Sequence, residues 1–154
     1  MSRRDQIRMT PQEVRDYLAE GRVASIATTG RQGRPHLVPV WYFPCGDEIV
    51  TWTYGGSHKV RNLRRQPRAT VLVESGDSYE QLRGVSLECE VRIVEDQEEL
   101  VGIGTTLLER YTPDGEVATG AAQFIRAQAV KRVGLVFTPT HVVSWDHRKL
   151  GGIY

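Results

Sequence analysis

The densest chemistry in this 154-residue sequence lies in residues 50–73, VTWTYGGSHKVRNLRRQPRATVLV. A strand-like run ends at Gly55-Gly56. Ser57 follows, and a short basic segment carries Lys59, Arg61, Arg64 and Arg65. Backbone N–H groups at a helix start point outward, and the helix dipole adds partial positive charge there. Ser57 offers a hydroxyl, Lys59 a point charge, and Arg61 or Arg64 a guanidinium fork. That set suits a phosphate. No acid occurs from 49 to 73. The order is not that of a P-loop, and no G-x-G-x-x-G is present. The plainer alternative is a solvated basic helix; the co-location of the glycines, Ser57, Lys59 and Arg61 favours the anion.

Two further stretches carry candidate chemistry. Pro39, Trp41, Tyr42, Phe43, Trp52 and Tyr54 gather flat side chains around a proline that interrupts a strand. Backbone groups freed at Pro39 can meet a planar heteroaromatic ring; the alternative is barrel core. In SWDHRKL, Asp146 and His147 are strand neighbours and point to opposite faces, which argues against one acid–base pair. His36, His58, His141 and His147 lack metal-ligand spacing, and Cys45 and Cys89 form no C-x-x-C, so no metal site is expected. No G-x-S-x-G occurs, and the sequence marks no catalytic proton donor.

The elements that must position these residues are legible from period and punctuation. Thr10, Pro11 and Glu13 form a capping box opening a helix over 11–20, with Val14, Tyr17 and Leu18 as its stripe and Gly21 as its stop. RVASIATT and HLVPVWYF read as strands around a TGRQGRP hairpin loop, with Pro39 demoting its position to an edge or bulge. PCGDE is a turn, IVTWTY a third strand, and HKVRNLRR a short helix closed by Gln66-Pro67. RATVLVES and RGVSLECEVRIVED follow, the latter alternating Val85, Leu87, Cys89, Val91 and Ile93 against polar residues. Helices are expected over 97–111, capped by Asp96, and over 117–131, with TPDGE as a loop between them. Their glycines weaken the first by up to ~1 kcal/mol each. RVGLVFTPT and HVVSWDH close the chain as two strands about a turn at Pro139. Seven strands joined mostly by tight turns give an α+β, mainly β class: an antiparallel barrel with peripheral helices, in one domain over 1–154.

Composition bounds the function. Lys and Arg number 20 against 19 Asp and Glu, a net charge of +1. The balance is uneven: residues 49–73 hold five bases and no acid, whereas 74–116 hold twelve acids and three Arg. Any positive site is therefore local. The neutral total and the lack of a recognisable module argue against a nucleic-acid partner. No apolar run approaches the ~18 residues of a membrane span. Two cysteines and no apolar leader segment give a cytoplasmic expectation.

The motifs G-R-P-H-x-V-P-V-W at 33–41 and S-x-K-x-x-N-L-x-x-x-P at 57–67, with TWT and LRGV, resemble the flavin/deazaflavin oxidoreductases of the pyridoxamine 5′-phosphate oxidase-like split barrels over about 10–147. The short chain and K-x-x-N-L-x-x-x-P-R resemble the branch that uses coenzyme F420. Seventeen Arg against three Lys is compatible with an actinobacterial source. The resemblance implies a split β-barrel of six to seven strands and a homodimer with cofactor sites at its interface. It implies a ring along Val38, Pro39 and Val40 with Trp52 and Thr53 beside it. Ser57, Lys59 and Asn62 would fall at the start of the basic helix, with Lys59 and Arg61 on the phosphate, and Trp145 and Lys149 would come from the second subunit. Arg31 and Arg34 are candidates for an oligoglutamate tail. The expected activity is F420-dependent reduction of a conjugated, electron-poor small molecule. FMN is the alternative cofactor, and a non-catalytic carrier the alternative role. The end of the chain lacks the Arg- and His-rich substrate motif of the oxidases proper, which argues against vitamin B6 oxidation.

Overall fold

The computed structural model describes residues 2–113 and 117–152. Among these, the strands are β1 (Ala24–Thr29), β2 (Pro35–Val40), β3 (Phe43–Cys45), β4 (Glu48–Tyr54), β5 (Arg68–Ser75), β6 (Arg83–Val94) and β7 (Arg132–Asp146). The helices are α1 (Arg3–Gln6), α2 (Pro11–Glu20), α3 (His58–Arg65), α4 (Gln97–Tyr111) and α5 (Ala121–Ala129). Residues 114–116 of the expected TPDGE loop lie outside the described residues, as do 153–154 of the tail.

All seven strands pair antiparallel in the order β2-β1-β5-β6-β7-β4-β3. β2 and β3 are consecutive in sequence yet lie on opposite edges. Only Trp41 and Tyr42 join them, so the Cα atoms of Val40 and Phe43 lie at most about 11 Å apart. The sheet must curl until its edges approach, without a ladder between them. This is a split β-barrel with peripheral helices, a mixed α+β fold.

HLVPVWYF is therefore not one strand, because the chain leaves the ladder after Val40. The crossing backbone takes its partners from side chains, as buried polar groups must. Thr51 Oγ1 donates to the Trp41 carbonyl at 2.6 Å. Tyr42 N donates to the Tyr111 hydroxyl at 3.0 Å, and that hydroxyl lies 2.6 Å from the Arg22 carbonyl and 2.8 Å from that of Tyr42. The second correction is at Pro139. Residues 132–146 form one strand, and Pro139 sits at a register shift, where Glu88 pairs with His141 but Cys89 with Pro139. A proline, which has no N–H to give, is tolerated at such a bulge. α5 is also shorter than expected, at Ala121–Ala129.

Two apolar clusters hold the fold. Ile26, Tyr42, Ile49, Leu63, Val71, Val85, Leu87, Leu135 and Phe137 belong to the first, inside the barrel. In the second, α4 and α5 place Leu100, Ile103, Leu107 and Ala129 on Val50, Val94 and Val136. Two-sided cover explains why β7 is buried without a break from Val133 to Phe137. Capping boxes and caps form as expected on α2 (Thr10 with Glu13) and on α4 (Asp96). At the far end of β7, buried Asp146 accepts from Arg148 Nη2 at 2.6 Å and pairs with Arg83 at 3.4 Å.

Candidate functional site

The start of α3 is positioned by the Tyr54-Gly55-Gly56-Ser57 turn. Ser57 N donates to the Tyr54 carbonyl and Gly55 N to that of Lys131, both at 3.0 Å. α2 and α4 cap their first turns with their own side chains, but Ser57 makes no such bond. Its hydroxyl oxygen is buried without a partner, and no acid occupies the first turn. The helix thus presents free donors and its positive dipole end. Asn62 anchors it from beneath. Buried, it donates from Nδ2 to Thr28 Oγ1 at 3.0 Å and accepts from Arg65 at 2.6 Å.

Beside this helix start lies a cavity of about 430 Å³. It brings together Pro39, Val40, Trp52, Thr53 and Lys59. Thr51 and Trp41 add to the sheet wall, and Leu107, Leu108 and Tyr111 of α4 with Phe124 and Ile125 of α5 form the helical wall. Gly104 lets α4 come close, since a Cβ there would stand 2.5 Å from the Trp52 ring. Trp41 stacks on Tyr111 with ring centres 4.4 Å apart and planes within 1°. Trp41, Tyr54 and Phe124 remain 60%, 55% and 60% exposed although all line the cavity. Large exposed aromatics clustered at one concavity mark a binding surface.

The cavity's charge is one-sided. Lys59 and Arg132 line it, and no acid does. Burial alone pulls the Lys59 ammonium below its usual pKa, and no carboxylate counters that. Arg132 lies 4.8 Å over the Trp52 ring and 4.3 Å over Tyr54. Sequence reasoning missed Arg132, Tyr111 and the α5 wall. Arg132 reaches the site because it pairs with Tyr54 across β7 and β4, a register no local motif reports.

The remaining predicted residues lie elsewhere. Arg31, His58, Arg61, Asn62, Arg64 and Arg65 line a second, basic depression of about 460 Å³. Arg64 pairs with Glu95 at 2.7 Å, whereas Arg31 and Arg61 pair with no carboxylate among the described residues. His58 stacks on His36 at 4.9 Å, and desolvation, with His58 and Lys59 nearby, lowers the His36 pKa. Val38 is half-buried on edge strand β2 opposite Ile26, and Arg34 is exposed. Trp145 and Lys149, expected from a second subunit, do not line the cavity. Trp145 lies against Gly84, where a Cβ would come within 2.0 Å of its ring. Lys149 donates to the Arg8 carbonyl at 2.8 Å and to Glu13 at 2.7 Å. His147 Nδ1 lies 2.9 Å from the Tyr79 carbonyl, while Asp146 faces Arg148, so the two form no acid–base pair. Among the described residues no helix is long and apolar enough to cross a membrane.

The fold and site together are those of a split barrel with an uncapped helix start beside an aromatic cavity. The family model for pyridoxamine 5′-phosphate oxidase matches residues 10–146, and the chain belongs to that family. Among solved structures it is similar to a conserved hypothetical protein, Rv2991, of Mycobacterium tuberculosis, at 39% identity and a TM-score of 0.90, covering 100% of this chain and 95% of that one. More distant likenesses share the fold. One is an F420 reductase (23% identity, TM-score 0.66, 82% of this chain and 93% of that one). Another is a FAD and heme binding protein of Mycobacterium smegmatis (18%, TM-score 0.70, 94% and 79%). No curated protein matches the chain.

Proposed function

We propose that this chain is an F420-dependent reductase acting as a homodimer on a conjugated, electron-poor small molecule. The observation that carries this reading is the start of α3, where Ser57 Oγ is buried and unpartnered and the first turn is uncapped by any side chain. Lys59, next to it, faces the aromatic cavity without a carboxylate. These residues fit a cofactor that carries a phosphate and a flat ring. Ser57 and Lys59 would hold the phosphate. Val38, Pro39 and Val40 on the open edge, with Trp52 and Thr53, would orient the ring, and the α4 wall would exclude water. When bound, a reduced deazaflavin supplies hydride at a ring carbon. The chain's task is to fix that carbon against the substrate. Arg31 and Arg61 favour F420 over FMN, because the basic depression suits an oligoglutamate tail that FMN lacks. The second subunit's C-terminal strand, with Trp145, would cover the ring.

Titrating apo-protein with F420 and with FMN tests the reading. Tight F420 binding is expected, and tight FMN binding with no affinity for F420 would sink it. Stopped-flow mixing of the reduced complex with enones and quinones separates an enzyme from a carrier. Oxidation of the cofactor above background supports turnover, and none supports carriage.

A further inference from the structure

We propose that Arg132 is a specificity-determining anion receptor, and that the cavity takes planar conjugated carboxylates. The proposal rests on the reductase reading in two places: that reading gives Lys59 to the cofactor phosphate and names these ligands substrates. Arg132 is the first residue of β7, paired with Tyr54 at the end of β4, so the ladder fixes its position. Its guanidinium is held between the Trp52 and Tyr54 rings at 4.8 and 4.3 Å. The fork is planar by delocalisation, and the cation–π contacts hold it oriented before any ligand arrives. Its Nε is buried with no hydrogen-bond partner. One Nη reaches Gln128 Oε1, at a long 3.4 Å. No carboxylate pairs with it among the described residues, and none lines the cavity.

A partly buried guanidinium with an unmatched N–H is costly unless something supplies the acceptor. Two cations, Lys59 and Arg132, line the cavity, and the proposed function assigns Lys59 to the phosphate. Arg132 is left for a second anion, and bidentate acceptance from a guanidinium is what a carboxylate does best. The rest of the ligand is set by the walls. Trp41, exposed and stacked on one side only, Trp52 and Phe124 are flat apolar surfaces suited to a planar conjugated body.

The test compares cinnamate with cinnamamide, equal in shape and differing in charge, by calorimetric titration of the full-length protein. Cinnamate is expected to bind about tenfold tighter or more, because a site built around a charged donor rejects an analogue that leaves it unpaired. Equal affinities in the wild type would overturn the proposal without any variant. Arg132→Met, which keeps the stem between the rings, should abolish the preference, and Arg132→Lys should restore part of it. A preference that survives Arg132→Met would overturn the proposal. F420 titration of Arg132→Met isolates the role. Unchanged cofactor affinity supports a substrate receptor, and loss of cofactor affinity makes Arg132 a cofactor residue and overturns it. A wild type that binds neither F420 nor FMN, yet keeps an Arg132-dependent preference, overturns the reductase reading and leaves the receptor standing.

Discussion

At the scale of single residues, the site turns on Lys59. Lys59→Ala should weaken F420 binding by about 1.5–3 kcal/mol, the range for a lost hydrogen bond to a charged group, as read by titration. The affinity should also depend on pH with a definite sign. Only the protonated ammonium attracts an anion, and burial lowers its pKa from the usual 10.5. Affinity therefore falls as pH rises through that lowered value, earlier than an exposed lysine would allow. Titration in steps up to about pH 10 checks this, and Lys59→Arg should flatten the fall, since arginine stays charged. Thr53 entered through the family resemblance, and Lys59 and Trp52 were legible by residue type because they sit within one short segment. Arg132 and Tyr111 were not. Each reaches the cavity through a pairing or a helix packing far away in the chain.

At the scale of elements, α4 contains two glycines that the sequence treats alike and the structure does not. Gly102 is exposed with nothing near its missing Cβ, whereas Gly104 lies against Trp52 and Ile125. Gly102→Ala should stabilise the protein by about 0.5–1 kcal/mol through helix propensity alone. Gly104→Ala gains the same term but overpacks the wall, at a cost of about 1–3 kcal/mol, and should be destabilising overall. Urea unfolding midpoints of the two variants should move in opposite directions. The strand count of seven agrees between sequence and structure through two compensating differences. The apolar run 36–43 hides the break at Trp41-Tyr42, because a crossing held by the Thr51 and Tyr111 side chains carries no turn signature. Pro139 looks like a turn because local rules cannot distinguish a reversal from a bulge in a long, paired strand. Helix starts were read to the residue at Thr10 and Asp96, where the capping chemistry is local.

At the scale of the whole molecule, Asp146 ties the end of β7 to β6 and to the segment before α2. Its carboxylate meets Arg148 and Arg83, and its backbone N donates to the Ile7 carbonyl at 2.7 Å. Asp146→Asn should cost roughly 1.5–3 kcal/mol at neutral pH, as for charge-assisted hydrogen bonds. Hydrogen bonding from Arg148 holds the Asp146 pKa below 3.8. Its stabilisation is therefore present above that value and lost as pH falls through the lower folded-state value. The gap between wild type and variant in denaturant titrations should accordingly close in acid. The proposed dimer predicts a light-scattering mass of twice 17.4 kDa, and a monomer with full cofactor affinity would contradict it. The two-residue crossing at Trp41-Tyr42 also bears on how the chain folds. The β1–β2 and β3–β4 hairpins close over short turns and are tethered by that crossing. The floor of the cavity, from Pro39 to Thr53, is thus local in sequence and cheap in loop entropy. The β6–β7 ladder must instead span everything between Val94 and Arg132. Ordering by contact separation predicts that the floor of the cavity forms early and the barrel closes late, so the concave surface would take shape before the barrel that supports it.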